Sequence, residues 1–370
     1  MNVQVLPRPS AEGQTSATLA IADCDIHPYP KSVQKELFPF LEKRWQEHFE
    51  TYGMLRRQPF VSGPAYPKGQ PDAARRDAYP PGGGKPGCDL DFLREQLLDP
   101  HNVALGILNP LQSGQGLQNS DFAAAYCRAV NDWQVAAWTS REPRLKASVV
   151  IHYEDAAGAV AEIDRRAGDA NFAQVLMLSR TAEPLGSRRY WPIYEAAQRA
   201  GLPIGVHAFG YGGDPITSGG WASFYIEEMV GHSQASQSVL ISLVTEGVFA
   251  RFPRLKVVLV ESGFAWLPPL AWRLDKLWKR LRSETPHLTR LPSEYIRDHV
   301  WLTTQPMEEP QPRHHLADAI AWIGWDKLLF ATDYPHWDYD DPERALPIVV
   351  DDASRRKFFF ENAARLYGQA

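Results

Sequence analysis

The feature that most constrains this chain is a series of eight short apolar runs separated by longer segments with helical spacing. Several runs are almost continuously apolar rather than alternating, which is typical of parallel strands covered by helices on their outer face. Regular strand–helix alternation of this kind predicts an α/β fold of the (β/α)₈ type, a TIM barrel. The predicted strands lie at 17–27, 103–110, 146–152, 173–180, 202–208, 256–262, 299–305 and 327–333.

The chain length fits one barrel with an insertion better than several domains. A barrel of this type takes about 250 residues, and this chain has 370. We therefore predict a disordered leader over 1–18 and a single barrel over 19–370. The segment 28–100 between the first and second strands is rich in proline, glycine and tyrosine, and it is too long for a simple βα connection. Because it leaves the carboxyl end of a strand, we expect a lid over the barrel mouth; an arm that forms a dimer is the alternative.

Charge and cysteine content exclude several classes of partner. Lys and Arg (39) nearly balance Asp and Glu (44), and the net charge is −5, so we expect no nucleic-acid partner. The leader has no apolar core of a signal peptide, and the longest aliphatic runs are too short to cross a bilayer. Three cysteines without CxxC spacing favour a reducing compartment. These observations predict a cytoplasmic protein without a membrane partner.

Charged and imidazole side chains stand at the carboxyl ends of the predicted strands. Asp25 and His27 end the first strand, His207 the fifth, Glu261 the sixth and Asp333 the eighth. Asp25 and His27 are two residues apart, so both point to the same face of the strand. In a closed parallel barrel all these ends meet at one rim, where buried ionisable groups are costly unless they are paired or bind a metal. Imidazoles and carboxylates together predict a shell for one divalent ion and a water molecule.

Two further histidines are candidate catalytic residues. His336 lies just beyond Asp333 in "DYPHW", where it could hydrogen-bond the carboxylate, touch a substrate or cap a loop. His232 lies in a helical segment among polar neighbours, and a position facing the site is one interpretation. The adjacent pair His314 and His315 is not expected to share a metal ion, since neighbouring residues of a helix point about 100° apart, and we treat both as surface residues.

Three residues are candidates for substrate binding. Arg180 ends the fourth strand, and its planar guanidinium suits two-point recognition of a carboxylate, although an ion pair with a loop acid fits equally. Trp221 and Trp266 follow strands closely enough to line a pocket. Trp272 and Trp278 fall at helical spacing within 265–282, so we expect them in the core.

Sequence motifs over nearly the whole chain resemble those of the amidohydrolase superfamily. They are "DCDIHP", "IGVHAFG", "GVFARFPRLKVVLVESGFAWLPPLAWRLD", "WDKLLFATDYPHWDYDDPE" and the final "FFENAARLYG". The combination is similar to the amidohydrolase-related family that includes aminocarboxymuconate semialdehyde decarboxylase, γ-resorcylate decarboxylase and metal-dependent hydrolases. The resemblance implies a TIM barrel with one divalent metal bound by Asp25, His27, His207 and Asp333, and a homodimer. We expect zinc, with manganese as the alternative.

The chain departs from the characterised decarboxylases at the end of the sixth strand. Those enzymes have a histidine followed by glycine there, whereas this chain has Glu261 in "ESG". Glu261 could orient a water, act as a second base, or hold His207. Asp333 is the candidate that accepts a proton from metal-bound water and passes it to a leaving group.

Three functions follow from these residues. The first is a metal-dependent hydrolase that activates water against an amide, ester or ring bond of a small aromatic or carboxylated molecule, and Glu261 favours it. The alternative is a metal-dependent, non-oxidative decarboxylase of an aromatic or muconate-type acid. The third is a non-catalytic barrel that binds a partner, and the intact set of metal ligands argues against it.

Overall fold

Eight parallel strands form a single sheet in chain order, as the sequence predicts. The computed structural model describes residues 19–55, 73–210 and 219–368. Each observed strand overlaps a predicted one, and all seven pairings between consecutive strands are parallel. The strands are β1 (Ile21–Ile26), β2 (Val103–Leu108), β3 (Leu145–Val150), β4 (Phe172–Arg180), β5 (Ile204–Gly210), β6 (Val257–Val260), β7 (Val300–Thr303) and β8 (Leu328–Leu329).

Backbone hydrogen bonds join the first and last parts of this sheet. The amide of Cys24 donates to the carbonyl of Phe330 (3.0 Å), and the amide of Asp333 donates to the carbonyl of Asp25 (3.1 Å). The strands therefore surround one axis, and their carboxyl ends form one rim. The (β/α)₈ barrel prediction is confirmed.

The strands are separated by helices that pack on the outside of the barrel. They are α1 (Val33–Glu36), α2 (Lys43–Tyr52), α3 (Leu90–Leu93), α4 (Ser120–Gln134), α5 (Ala156–Arg166), α6 (Trp191–Ala200), α7 (Tyr225–Thr245), α8 (Val248–Arg251), α9 (Leu267–Leu281), α10 (Pro292–His299), α11 (His314–Ile323), α12 (Asp352–Arg356) and α13 (Asn362–Leu366). Wider π-helical turns follow α3, α4 and α12 at Arg94–Leu98, Val135–Thr139 and Lys357–Glu361. None of the helices in the described ranges has the length and apolar character needed to cross a bilayer.

Local sequence explains where these helices begin and end. The Asn119 side chain accepts a hydrogen bond from the amide of Phe122 and so caps α4, whose buried face carries Phe122, Tyr126, Val130 and Trp133. Gly201 closes α6 at φ +73°, a left-handed conformation that glycine adopts without a steric cost.

Helix α9 corrects one expectation about the core. Its buried residues are confined to Leu267, Pro268 and Ala271. Trp272 is 55% exposed, with its ring packed edge-on against Trp322, and Trp278 is half-buried. Helical spacing alone does not tell which face of an amphipathic helix points inward, so the core placement of Trp272 was wrong.

The insertion between β1 and β2 contacts the loop that follows β8. This insertion contains the predicted lid, 28–100, of which the structure describes all residues but 56–72. The predicted leader, 1–18, lies outside the described residues. Ala74 pairs antiparallel with His336, and the amide of Arg75 donates to the carbonyl of Pro335. The second described part of the insertion, which begins at residue 73, is therefore hydrogen-bonded to a loop at the barrel rim.

Candidate active site

Side chains from three strand ends converge at the rim. Asp25 and His27 come from β1, His207 from β5, and Glu261 directly follows β6. All four are buried, and one possible ligand atom from each lies within 4.8 Å of the others. His207 pairs in register with Val260, which sets Glu261 one residue beyond it at the rim. The predicted convergence is thus observed.

Asp333, the fourth ligand of the predicted set, also contacts His27. Its Oδ1 is 2.8 Å from His27 Nε2 and 2.7 Å from His336 Nδ1, while Gln305 Nε2 donates to its Oδ2 at 3.2 Å. His27 Nε2 therefore lies beside carboxylate oxygens of both Asp333 and Asp25. Glu261 occupies a ligand position that the predicted set did not include.

Two of the carboxylates belong to residues with strained backbones. Glu261 has φ +55° and Asp333 has φ +64°, in the left-handed region that non-glycine residues rarely enter. Such a conformation costs about 1–3 kcal/mol and is found mainly at functional sites, where the surrounding structure enforces it. The strain at both positions supports a functional role for both carboxylates.

One hydrogen bond determines which nitrogen of His27 faces the carboxylates. A backbone carbonyl can only accept, so His27 Nδ1–H donates to the carbonyl of Asn109 at 2.7 Å. Its Nε2 then points at Asp25 Oδ1 (3.3 Å) and Asp333 Oδ1 (2.8 Å). In the neutral imidazole this nitrogen carries a lone pair, so three electron-rich atoms meet there. The arrangement requires a positive charge, either a proton or a metal ion.

The pKa values in this cluster reflect the same crowding. Burial alone would lower the pKa of both imidazoles, but Asp25 and Asp333 raise the pKa of His27 to about 9, and Asp25 and Glu261 raise that of His207 to about 10. Burial would raise the pKa of Asp25, yet the two imidazoles lower it to about 2. Burial and the charge of Glu261 raise the pKa of Asp333 well above its usual range. The buried carboxylates thus stabilise positive charge on the neighbouring imidazoles.

The donor set fits a divalent metal. Asp25 Oδ2 and Glu261 Oε2 lie 3.5 and 3.0 Å from His207 Nε2, and neither oxygen has another partner among the described residues. Buried oxygens without hydrogen bonds are uncommon, because each loses its hydration without compensation. Imidazole nitrogens with carboxylate oxygens are the ligands that Zn²⁺ and Mn²⁺ accept.

The two additional histidines are both buried near this cluster. The ring of His336 stacks on that of His27 at 4.5 Å. Burial and the charge of His27 lower the pKa of His336 to about 4, so it is neutral near pH 7. His232 lies in α7, where burial lowers its pKa against the opposing charge of Glu261. Both histidines can therefore accept or relay a proton but do not add positive charge.

Each of the three predicted substrate-binding residues ends a strand or lies between a strand and the next helix. Arg180 is the last residue of β4 and is half-buried. Trp266 precedes α9, and its Nε1–H donates to the carbonyl of Ser262. Trp221 is exposed and precedes α7. Their roles toward a substrate stay predictions.

Sequence reasoning missed three polar residues that hold the site. Asn109 Nδ2 donates to Asp25 Oδ1 at 2.8 Å, and Gln305 Nε2 donates to Asp333 and to the carbonyl of Asp338. One carboxylate oxygen of Asp338 lies within 4.8 Å of possible ligand atoms of Glu261 and Asp333. Asn109 directly follows β2, and Gln305 follows shortly after the end of β7. Amides at strand ends carry the same positional signal as the charged residues.

The pair His314 and His315 is exposed at the start of α11, as predicted. With Asp318 it presents possible ligand atoms within 4.8 Å of one another, so the expected divergence of the two rings was wrong. This group is exposed, unlike the buried rim cluster, so it can contribute only weak metal uptake at the surface.

Known proteins similar to this chain include several decarboxylases. γ-Resorcylate decarboxylase from Polaromonas sp. (strain JS666) is 26% identical over 294 residues, which cover 75% of this chain and 87% of the relative. The fold matches that of a dihydroxybenzoic acid decarboxylase from Polaromonas sp. JS666 with bound manganese and 2-nitroresorcinol (TM-score 0.66, 20% identity, 95% of this chain and 97% of the other). It also matches 5-carboxyvanillate decarboxylase from Novosphingobium aromaticivorans with manganese and 4-hydroxy-3-methoxy-5-nitrobenzoic acid (TM-score 0.71, 18% identity, 96% and 97%).

The family model of the amidohydrolases matches residues 22–369. This range begins within β1, ends beyond α13 and contains every residue of the rim cluster. With the barrel and the buried donor set described above, it confirms the resemblance seen in the motifs: the chain belongs to the amidohydrolase family.

Proposed function

We propose that this chain is a metal-dependent, non-oxidative decarboxylase of an aromatic acid. The observation that carries the proposal is the meeting of His27 Nε2 with the carboxylates of Asp25 and Asp333, beside His207 and Glu261. The decarboxylases among the relatives support this function better than the hydrolase that the sequence favoured. The proposed reaction is therefore the decarboxylation that the sequence offered as the alternative to hydrolysis.

Asp25, His27, His207 and Asp333 would hold the metal ion, with Glu261 next to them. A bound divalent ion supplies a Lewis acid that binds an anionic substrate oxygen and polarises a neighbouring one. Manganese is present in three of the similar decarboxylase structures, and zinc accepts the same donors. Manganese is therefore the first ion to test, and zinc is the second.

In the proposed reaction Asp333 donates the proton. Burial raises the pKa of its carboxyl group in the metal-free cluster, so Asp333 can carry a proton near pH 7 whenever it does not bind the ion. The proton moves from the carboxyl group to the ring carbon that bears the substrate carboxylate. The bond between that carbon and the carboxylate then breaks, CO₂ leaves, and the electron pair of this bond restores the aromatic ring. Solvent returns a proton to Asp333.

Neighbouring side chains hold Asp333 in position. Gln305 donates to Oδ2, and His336 contacts Oδ1 and packs on His27, so both oxygens are oriented. His336 is neutral and can pass the returning proton to Asp333. Glu261 lies 3.0 Å from His207 Nε2, where its charge favours a cation.

The remaining groups at the rim would bind and enclose the substrate. We assign Arg180 to a carboxylate or phenolate oxygen, and Trp266 and Trp221 to the aromatic ring. The insertion 28–100 would act as the lid, because its residues Ala74 and Arg75 are hydrogen-bonded to the loop of His336. A homodimer and a cytoplasmic location stay predictions.

Hydrolysis is the second candidate, and Glu261 favours it. Glu261 Oε2 has no partner but His207 among the described residues, and it stands at a rim position where the resemblance leads us to expect histidine; such a carboxylate is suited to take a proton from water. In this case Glu261 would be the general base and Asp333 would protonate the leaving group.

The two functions are separated by the product. We expect the manganese-loaded protein to release CO₂ from carboxyl-labelled 2,6-dihydroxybenzoate or 5-carboxyvanillate, and a chelator to abolish the release. Aryl esters and amides of the same ring systems serve as the hydrolase arm of the assay. Turnover of these compounds by the metal-loaded protein, without CO₂ release from any hydroxybenzoic acid, would overturn the decarboxylase proposal.

A further inference from the structure

A buried polar chain runs from the end of the last helix to the rim cluster. The hydroxyl of Tyr367, just after α13, donates to Gln174 Oε1 at 3.1 Å. Gln174 Nε2 donates to Asn109 Oδ1 at 3.0 Å, and the hydroxyl of Ser148 donates to the same oxygen at 2.7 Å. Asn109 Nδ2 then donates to Asp25 Oδ1 at 2.8 Å. Every one of these side chains is buried.

The partners at the rim determine the direction of the Asn109 amide. Asp25 Oδ1 and the carbonyl of Cys24 (3.3 Å) can only accept, so reversing the amide would turn its oxygen toward two acceptors. With Nδ2 facing these groups, Oδ1 faces Gln174 and Ser148, which donate to it. Tyr367 donates to Gln174 Oε1 and so anchors the far end of the amide that contacts Asn109.

Asn109 contacts both candidate ligands of β1 in different ways. Its side chain holds Asp25 Oδ1 and leaves Oδ2 for another partner, while its backbone carbonyl holds His27 Nδ1 and turns Nε2 toward the cluster. One residue thus sets the orientation of two side chains that would bind the metal.

We infer that Asn109 is the positioning residue of the metal centre, and that Ser148, Gln174 and Tyr367 anchor its amide in place. The inference rests on the proposed metal site. Groups that orient metal ligands are typically worth about 10- to 100-fold in metal affinity. We therefore expect the loss of the Asn109 side chain to weaken the metal without removing any ligand.

The test compares metal affinity in matched variants. Asn109→Ala removes the side chain but keeps the carbonyl that holds His27. The matched control is Asn131→Ala: Asn131 is buried too and donates to a carboxylate, but that carboxylate is Glu162, packed between α4 and α5. We expect the Kd for Mn²⁺, measured by calorimetry on the folded proteins, to rise about 10- to 100-fold in Asn109→Ala and less than about 2-fold in the control.

Tyr367→Phe provides a milder variant that removes one hydroxyl far from the ligands. We expect the Kd for Mn²⁺ to rise by about 2- to 5-fold, since only the orientation of two amides is weakened. If Asn109→Ala does not fold, this variant decides. Equal affinity in wild type and in the folded Asn109 or Tyr367 variant overturns the inference. Failure of the wild type itself to bind Mn²⁺ or Zn²⁺ instead overturns the proposed metal site.

Discussion

Replacing His207 by alanine is expected to abolish the metal-dependent activity. His207 lies between Asp25 and Glu261, and its loss would remove an imidazole ligand and leave these carboxylates facing each other. Lewis-acid stabilisation by a metal amounts to several kcal/mol, and at about 1.4 kcal/mol per tenfold this corresponds to a loss of about 1,000-fold or more in kcat/KM. Steady-state kinetics and elemental analysis of the same sample give the two readouts.

His299→Ala is the matched control for this variant. His299 is also buried, but it ends α10, where Nδ1 contacts the carbonyl of Leu255 and the ring stacks on Phe249. We expect this change to lower the stability while metal content and kcat/KM per folded chain stay close to wild type. An active His207→Ala enzyme that retains its metal would remove His207 from the centre.

The second large effect is expected for Asp333→Asn. An amide cannot supply the carboxyl proton, and general acid catalysis contributes about 100- to 10,000-fold, so kcat should fall by that factor. The measurement is kcat at saturating Mn²⁺, with the metal content determined in parallel. If the variant keeps its metal but loses turnover, Asp333 is the proton donor. If the variant loses its metal, the main role of Asp333 is to bind the ion.

Glu261→Gln is the companion variant, because it separates the two reactions. If the protein is a decarboxylase, Glu261 supports His207 and we expect a loss of about 10-fold or less. If the protein is a hydrolase, Glu261 is the base and the loss should reach about 100- to 10,000-fold. Full activity of Asp333→Asn with a strong loss in Glu261→Gln would contradict the proposed assignment of the proton donor.

The barrel could be predicted from the sequence because its signal is local and repeated. Each strand is a short apolar run, and helices such as α6 end at a recognisable residue, Gly201. The sequence did not predict which residues of α9 are buried, because the exposure of Trp272 depends on the neighbours that cover it and not on its spacing along the helix.

The sequence predicted which strand ends carry the residues of the site, but it did not predict which of these residues contact one another. The motif placed Asp25, His27, His207, Glu261 and Asp333 on one rim, and they are found there. No sequence pattern predicts that Glu261 approaches His207 while Asp333 approaches His27, or that both carboxylates have a left-handed backbone.

Asn109 and Gln305 were missed because amides are ordinary residues at the ends of strands. Their significance depends on the direction of the side-chain amide, and that direction is set by partners distant in sequence, such as Gln174 and Asp338. A search for every polar residue at a strand end would have included both positions.

Metal binding should depend strongly on pH. The pKa values of His27 and His207, about 9 and 10, mean that both imidazoles carry protons near neutral pH when they face only carboxylates. A metal ion binds the deprotonated nitrogens, so binding releases protons and weakens as the pH falls. We expect the apparent affinity to rise by about 10-fold or more per unit between pH 6 and 8.

The central claim is that the rim cluster is a metal centre, and an equilibrium titration tests it most directly. The metal-stripped protein is titrated with Mn²⁺ and Zn²⁺ at pH 8, with His314→Ala and His315→Ala introduced to remove uptake by the surface group. The account predicts about one ion per chain with micromolar or tighter affinity. A folded protein that binds neither ion at metal concentrations of hundreds of micromolar would contradict the claim of a metal centre.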